Sequence, residues 1–309
     1  MSKEEVIGAI DVGGTKIAVG VVDRTGSILA RAETPTDPEG GYRAALDRTV
    51  GLLKHLLNEC SRPLEGIGIG STGPIDPETG IYGEVGTLPG WRDSPLVPDL
   101  ERTFRVRAAV ENDADAAALA EARWGAGRGC QSLLYITVST GIGAGLVFDG
   151  KLYRGAGGAH PEMGHQVIDP TGPLCYCTAH GCWESLASGP AMEQWVHTNG
   201  GATDLTAQAI CELAKRGDPL MVRAVEREAH YLGLGLANLV TMFCPEALVL
   251  GGGMMKSAGL ILPGALEVVK KVCTQVPADR TSILLAGLGD RTALLGAACV
   301  WMHRAEVRP

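Results

Sequence analysis

The stretch Val6-Ile7-Gly8-Ala9-Ile10-Asp11-Val12-Gly13-Gly14-Thr15-Lys16-Ile17-Ala18-Val19-Gly20-Val21-Val22 decides the fold of this chain. Residues 6–10 form a short apolar run, and residues 17–22 are rich in β-branched side chains, so both are predicted to be strands. The glycine-rich turn between them is therefore the tip of a β-hairpin. Rossmann and Walker A phosphate loops open a helix instead, so this turn belongs to neither class.

The same arrangement returns in the second half of the sequence. Residues 132–138 are predicted to be a strand, Ser139-Thr140-Gly141-Ile142-Gly143 a turn, and residues 144–148 the return strand. A strand that ends in Ser71-Thr72-Gly73-Pro74 has its counterpart in one that ends in Gly251-Gly252-Gly253. We interpret this as a duplication that gives two related α/β lobes with a cleft between them.

Apolar residues at helical spacing predict helices over residues 42–60, 221–243 and 292–304. Asp113 is placed to cap a fourth helix, over residues 114–124. We expect a small lobe over residues 1–118, with the C-terminal helix (about 292–309) packing back on it, and a large lobe over residues 119–291.

Composition narrows the function classes. The 309 residues are 45% hydrophobic, enough for a large core, and the net charge of −8 argues against nucleic acid or an anionic membrane as the main partner. No segment reaches the ~18 apolar residues that a membrane span requires. The polar start of the chain is unlike a secretory signal, and the scattered cysteines show no disulfide pattern, so we expect a cytoplasmic protein.

The two glycine-rich tips, facing one another across the cleft, are predicted to bind phosphate. Glycines there let backbone N–H groups converge on an anion, and this applies to Gly13 and Gly14 in the first tip and to Thr140-Gly141 in the second. Asp11 is placed to hold Mg²⁺ through water, and Thr15 and Lys16 to position phosphates. Gly251-Gly252-Gly253 would let an adenine ring lie against bare backbone. The alternative is that these are tight turns chosen only for their geometry.

A loop rich in cysteine carries the most specific pattern in the chain. His165, Cys175, Cys177 and Cys182 supply the donors of a closed tetrahedral Zn²⁺ site. Glu162 and Glu184 flank the loop, so folding it around a metal would place two carboxylates beside an imidazole. Ionised carboxylates accept hydrogen bonds from hydroxyl groups, which suits a polyhydroxylated ligand. Cysteines that merely pack in a core are the alternative.

The segment Glu111-Asn112-Asp113-Ala114-Asp115 lies between the predicted lobes. A carboxylate there can orient a sugar hydroxyl as it attacks phosphorus, and an ordinary Asp pKa is sufficient for that task because the transition state is loose. The alternative is that Asp113 only caps the helix.

These motifs, in this order along nearly the whole chain, resemble the ROK family of bacterial sugar kinases, which have the actin-like ATPase (ribonuclease H-like) fold. The resemblance implies that Asp113 is the catalytic base and that Asn112, Glu162, His165 and Glu184 contact the sugar, with Gly73 in the neighbouring family motif. It also implies that His165 and the three cysteines bind zinc, and that Gly13–Thr15 and Thr140–Gly141 are the phosphate loops. The cofactors implied are ATP, Mg²⁺ and a structural Zn²⁺.

Some positions depart from the family pattern. Thr178 stands where glycine is common, and Thr87 stands where asparagine is common. His160-Pro161-Glu162 is similar to the fructokinase branch, whereas the three cysteines favour the glucokinase branch. His180 is a spare donor that we interpret as a surface residue.

The function expected is that of an ATP-dependent hexose kinase of carbohydrate metabolism (glycolysis), closest to the glucokinases, acting on the sugar 6-hydroxyl. N-acetylmannosamine, N-acetylglucosamine or fructose are the alternative substrates. Two other classes remain, a catalytically silent sugar sensor and an actin-like polymer subunit. Many members are repressors with an added DNA-binding domain, for which we expect no room here, and a homodimer or higher homo-oligomer is expected from the family.

Overall fold

The computed structural model describes residues 4–307. The strands are β1 Val6–Val12, β2 Lys16–Val22, β3 Ile28–Pro35, β4 Leu64–Ser71, β5 Ala108–Asn112, β6 Ser132–Val138, β7 Ile142–Phe148, β8 Lys151–Leu152, β9 Ala247–Gly251 and β10 Ser282–Leu285. The helices are α1 Gly41–Cys60, α2 Leu96–Phe104, α3 Asp113–Trp124, α4 Trp183–Leu186, α5 Gly189–Thr198, α6 Ala207–Lys215, α7 Pro219–Phe243, α8 Ala258–Val272 and α9 Thr292–Val307. Every strand and helix named from the sequence above is present.

The first sheet has the order β3-β2-β1-β4-β5. The β1–β2 and β2–β3 pairs are antiparallel, whereas β4 and β5 continue the sheet in parallel with β1. In this register Asp11 pairs with Gly70, and Gly70 pairs with Glu111. The carboxyl ends of β1, β4 and β5 therefore meet at one edge, which is where ligands bind in sheets of this kind.

Helices cover both faces of the first sheet. A Cβ atom on Gly8 would lie 3.1 Å from Leu53 of α1, whereas one on Gly20 would lie 3.0 Å from Leu294 of α9. Gly20 pairs with Ala9, the neighbour of Gly8, and successive residues of a strand point to opposite faces. The helix α9 packs so closely that a Cβ atom on Gly68 would clash with the carbonyl oxygen of Ala297.

The second sheet has the order β10-β9-β6-β7-β8. Read from its other edge, the order is β8-β7-β6-β9-β10, so β6 is central as β1 is in the first sheet. The strands β7, β8, β9 and β10 then occupy the places of β2, β3, β4 and β5. The β6–β9 and β9–β10 pairs are parallel and the β7–β8 pair is antiparallel, as in the first sheet. The duplication predicted from the two glycine tips is therefore confirmed at the level of topology.

By its internal contacts the chain divides into two units. The first comprises the chain up to Gly129, residues 145–160 and the chain from Gly287 onward, and the second comprises residues 130–144 and 161–286. The lobe boundaries expected from the sequence remain a prediction. Between residues 4 and 307, no helix combines the length and apolar character needed to cross a bilayer.

Candidate active site and metal centre

The first glycine tip closes β1 onto β2. The N–H of Gly13 donates to the carbonyl of Lys16 over 3.0 Å, and the hydroxyl of Thr36 donates to the carbonyl of Gly13 over 2.6 Å. Gly14 faces Thr87, because a Cβ atom on Gly14 would lie 2.8 Å from the Cβ of Thr87. The tip thus exposes Thr15 and Lys16, and its backbone is fixed by one hydrogen bond within the tip and one from Thr36.

Two carboxylates meet at the edge of the first sheet. A Cβ atom on Gly70 would lie 3.6 Å from Asp11 Oδ1 and 4.0 Å from the Cα of Asp113, so both acidic residues lie beside Gly70. Burial of the carboxyl and the negative charge of Asp113 raise the pKa of Asp11 to about 7, against the opposing charge of Lys16. A divalent cation with oxygen ligands would relieve this repulsion, so the donor set fits Mg²⁺.

Asp113 is exposed at the first turn of α3, but it is not the residue that caps the helix. The N-cap is Asn112, whose side-chain oxygen accepts the N–H of Ala114 over 2.9 Å. The N-cap position is therefore one residue before the Asp113 that we predicted, since asparagine and aspartate cap about equally well. Asp113 Oδ1 also accepts the N–H of Ala114, over 2.8 Å. Gly73 lies beside this cap, since a Cβ atom there would be 3.6 Å from the side-chain nitrogen of Asn112.

A buried charge network, missed by the sequence analysis, flanks Asp113 on both sides along the chain. Glu111 and Asp115 are 3% and 0% exposed, and Arg154 forms ion pairs with both of them. The Nδ1 of His160 lies 2.8 Å from Asp115 Oδ2. These four side chains anchor the end of β5 and the first turn of α3, where Asn112 and Asp113 lie.

The second glycine tip is bonded to one of the predicted sugar contacts. Glu184 Oε2 accepts the N–H of Ile142 over 2.7 Å, and a Cβ atom on Gly141 would lie 2.2 Å from the same oxygen. Any larger residue at position 141 would therefore displace this carboxylate from its present place. Exposed Thr140 completes the tip.

Other backbone groups converge on the second tip. The N–H of Gly189, at the start of α5, donates to the carbonyl of Ser139 over 2.9 Å. Gly252 has φ +89°, and a Cβ atom on it would clash with the backbone of Val138. A Cβ atom on Gly253 would lie 3.3 Å from the Ser139 hydroxyl. Close packing at the end of β6 is therefore one reason for glycines in Gly251–Gly253, in addition to the adenine contact that we predicted.

The predicted zinc ligands come together. The ligand atoms of His165, Cys175, Cys177 and Cys182 all lie within 4.8 Å of one another. The Sγ atoms of Cys177 and Cys182 are 3.4 Å apart, and His165 Nδ1 is 3.5 Å from Cys175 Sγ. A tetrahedral ion with Zn–S bonds of about 2.3 Å needs ligand atoms roughly 3.5–4 Å apart, so the set fits Zn²⁺.

The loop around this cluster contains a strained residue. Thr178 adopts φ +75°, a conformation that disfavours β-branched side chains, and this explains why glycine is common there. His180 is exposed and its Nδ1 lies 3.1 Å from the Gly172 carbonyl, as expected of a surface residue. Glu162 is also exposed, at the start of the short turn that carries His165.

Tyr176, between two of the cysteines, was not singled out from the sequence. Its hydroxyl lies 2.8 Å from His165 Nε2. Partial burial of this hydroxyl and the negative charges of Glu184 and Glu162 raise the pKa of Tyr176 to about 12, so it keeps its proton at neutral pH. No spacing rule could have found it, because a residue between two ligands of a metal loop need not contact the metal.

Comparison with known proteins finds relatives that match nearly the whole chain. The ROK family pattern matches residues 7–304. The chain is 32% identical to the glucokinase of Streptomyces coelicolor, over 94% of this chain and 95% of the relative. The ROK hexokinase structure from Thermus thermophilus superimposes with a TM-score of 0.85 at 35% identity, over 97% of this chain and 99% of that one.

A third relative was solved with ligands. The structure of a ROK family glucokinase from Streptomyces griseus, in complex with glucose and AMPPNP, has a TM-score of 0.80 and 31% identity over 97% of this chain and 99% of that one. The resemblance stated from the motifs and the two-sheet, actin-like ATPase fold expected from it are both confirmed. The chain belongs to the ROK family.

Proposed function

We propose that this protein is an ATP-dependent hexose kinase that phosphorylates glucose at its 6-hydroxyl. One observation carries the proposal: the carboxylate of Glu184 is bonded to the backbone of the second glycine tip. A group suited to accept sugar hydroxyls therefore lies directly beside a turn suited to bind phosphate. The glucokinase and hexokinase names of its relatives support the same reaction class.

In this proposal Asp113 is the base that orients and deprotonates the attacking hydroxyl. It is exposed at the edge of the first sheet, close to Asp11. Asn112, Gly73, Glu162, His165 and Glu184 bind the sugar. Asp11 would hold Mg²⁺, a cation that neutralises charge on the transferring phosphoryl group when bound.

The phosphate and nucleotide contacts are assigned to the two tips and to the triple glycine. Thr15 and Lys16 are exposed on the first tip, with Gly13 and Gly14 shaping its backbone. Thr140 and Gly141 form the second tip, and Gly251, Gly252 and Gly253 lie against the end of β6 beside it. We propose a cytoplasmic homodimer acting in glycolysis, on the strength of the family resemblance.

The test is a coupled ADP-release assay with ATP and Mg²⁺ over glucose, mannose, fructose, N-acetylglucosamine and N-acetylmannosamine. Glucose should give the highest kcat/KM, and its product should be oxidised by glucose-6-phosphate dehydrogenase in equal amount to the ADP formed. A tenfold higher kcat/KM for fructose or an N-acetylhexosamine would reject glucose and keep the kinase. Sugar binding without ADP release would favour a silent sensor.

We propose that zinc at the Cys/His cluster is structural, because four protein donors leave no open position for chemistry. Metal analysis should find about one zinc ion per chain, as expected for one closed site. Replacement of exposed Cys177 by serine should release the ion and raise the KM for sugar more than that for ATP. Full zinc occupancy in that variant would show that the ligand set is wrong.

A further inference from the structure

Tyr176 projects from the metal loop onto the imidazole of His165. The two rings meet edge to face, with centroids 4.9 Å apart and planes at 85°. The tyrosine side chain is nevertheless 79% exposed, so it is held by its hydroxyl end and not by core packing. A side chain held in this way can rotate outward without opening a cavity.

The two nitrogens of His165 have different tasks. Nδ1 faces the cluster, 3.5 Å from Cys175 Sγ, and as a metal ligand it must offer its lone pair. The proton of the neutral ring is then on Nε2, which lies 2.8 Å from the Tyr176 hydroxyl. The imidazole therefore donates and the tyrosine oxygen accepts.

The tyrosine still has its own proton to donate. The Tyr176 hydroxyl can donate to the Glu184 carboxylate, and the negative charges of Glu184 and Glu162 both act on it. The hydroxyl thus accepts from an imidazole and faces a carboxylate to which it can donate. A sugar hydroxyl bound by His165 and Glu184 would make the same two hydrogen bonds.

We propose that the Tyr176 hydroxyl stands in for one sugar hydroxyl in the sugar-free protein and must leave before that sugar hydroxyl can bind. The proposal rests on the proposed function, in which His165 and Glu184 contact the sugar. Before the sugar binds, the Tyr176 hydroxyl occupies the His165 imidazole and the Glu184 carboxylate and keeps both oriented. Sugar entry exchanges one pair of hydrogen bonds for another, so this subsite adds little net affinity.

The test is Tyr176→Phe, which removes only the hydroxyl oxygen and its proton. With the competitor gone, the Kd for glucose from calorimetry should fall by about two- to tenfold, the size of one net hydrogen bond. The KM for ATP and the zinc content should stay unchanged. Tyr153→Phe is the matched control, because Tyr153 is a half-exposed tyrosine of the first unit. An unchanged or higher Kd for glucose in the Tyr176 variant would overturn the proposal.

Monodeoxy glucoses provide a second arm. If Tyr176 replaces one particular sugar hydroxyl, the analogue that lacks this hydroxyl should bind equally well to the wild type and to Tyr176→Phe. If the 1-, 2- and 3-deoxy sugars all bound more tightly to Tyr176→Phe than to the wild type, and by the same factor, the stand-in role would be overturned. A wild type that binds no hexose in calorimetry would instead reject the proposed function itself, so the two failures can be told apart.

Discussion

At the scale of single residues, Asn112 and Asp113 both meet the first turn of α3. Asn112 is the N-cap, and Asp113 Oδ1 also accepts the N–H of Ala114, over 2.8 Å. Asparagine in place of Asp113 keeps an oxygen that can accept this N–H. Asp113→Asn should therefore report on chemistry more than on folding.

Asp113→Asn should lower kcat by at least about 10²-fold, the usual size of a lost general base, while glucose still binds. The amide keeps the shape of the side chain but cannot take a proton. Asp93→Asn is the control, since Asp93 is exposed in the same unit and its φ of +61° suits asparagine. Steady-state kinetics and calorimetry give the two readouts. If Asp113→Asn kept more than a tenth of the wild-type kcat, Asp113 would not be the catalytic base.

Thr178 carries a strain that can be measured as zinc retention. Its φ of +75° costs a β-branched residue on the order of 1 kcal/mol, which glycine avoids. Thr178→Gly should therefore slow the loss of zinc to a chelator by a few-fold. Thr178→Ala, which keeps a Cβ atom, should gain less. Faster zinc loss from the glycine variant would mean that the threonine side chain stabilises the loop by other contacts.

At the scale of elements, the junction of β5 and α3 is fixed by charges from elsewhere in the chain. Arg154 pairs with Glu111 and Asp115, and His160 pairs with Asp115. Both acids are buried, so their charges depend on these partners. The segment that carries Asn112 and Asp113 is anchored at each end.

Arg154→Met should therefore lower the free energy of unfolding by roughly 3–5 kcal/mol, because it leaves two buried carboxylates without their main cation. Lys215→Met is the control, since Lys215 and Glu212 form an exposed pair 2.7 Å apart, and such pairs contribute about 0–1 kcal/mol. Chemical denaturation of both variants measures the difference. Equal losses in the two variants would show that the network contributes no more than a surface ion pair.

The sequence predicted the strands and helices better than the contacts between their side chains. Apolar and β-branched runs located β1 and β2, and apolar residues at helical spacing located α7, because these signals lie within the element itself. Arg154 and Asp115 are 39 residues apart, and no local pattern reports such a pairing. The four donors predicted to bind zinc do lie together, as expected of residues within one loop, whose chemistry is local. Tyr176 was missed because its role depends on the rotamer that brings it to His165.

At the scale of the whole molecule, two sheets with one strand order carry the two glycine tips. In each sheet the central strand ends in a glycine tip. The tip follows Asp11 near the end of β1 in the first sheet, and it contains Gly141 after β6 in the second. In the second unit, α7 packs against α4, α5, α6 and α8. The stability of this unit therefore depends on what the buried face of α7 contains.

That face contains a glutamate. Glu228 is 1% exposed, and neither of its oxygens has a hydrogen-bond partner among residues 4–307. Burial raises the pKa of Glu228 to about 8, with Arg227 opposing the shift. The folded state thus favours the protonated acid, and unfolding at neutral pH releases that proton.

The sign of the pH dependence follows from this shift. A pKa that is higher in the folded state than its ordinary value of 4.5 gives stability that is complete below about pH 4.5 and is lost as the pH rises toward about 8. Glu228→Gln keeps the shape of the neutral acid and cannot ionise, so its free energy of unfolding should lack this decline. Glu226→Gln, at an exposed position of the same helix, should keep it. Denaturation midpoints of the three proteins at pH 5, 6.5 and 8 measure the effect. If the wild type and Glu228→Gln lost stability in parallel over that range, Glu228 would not be the group that titrates.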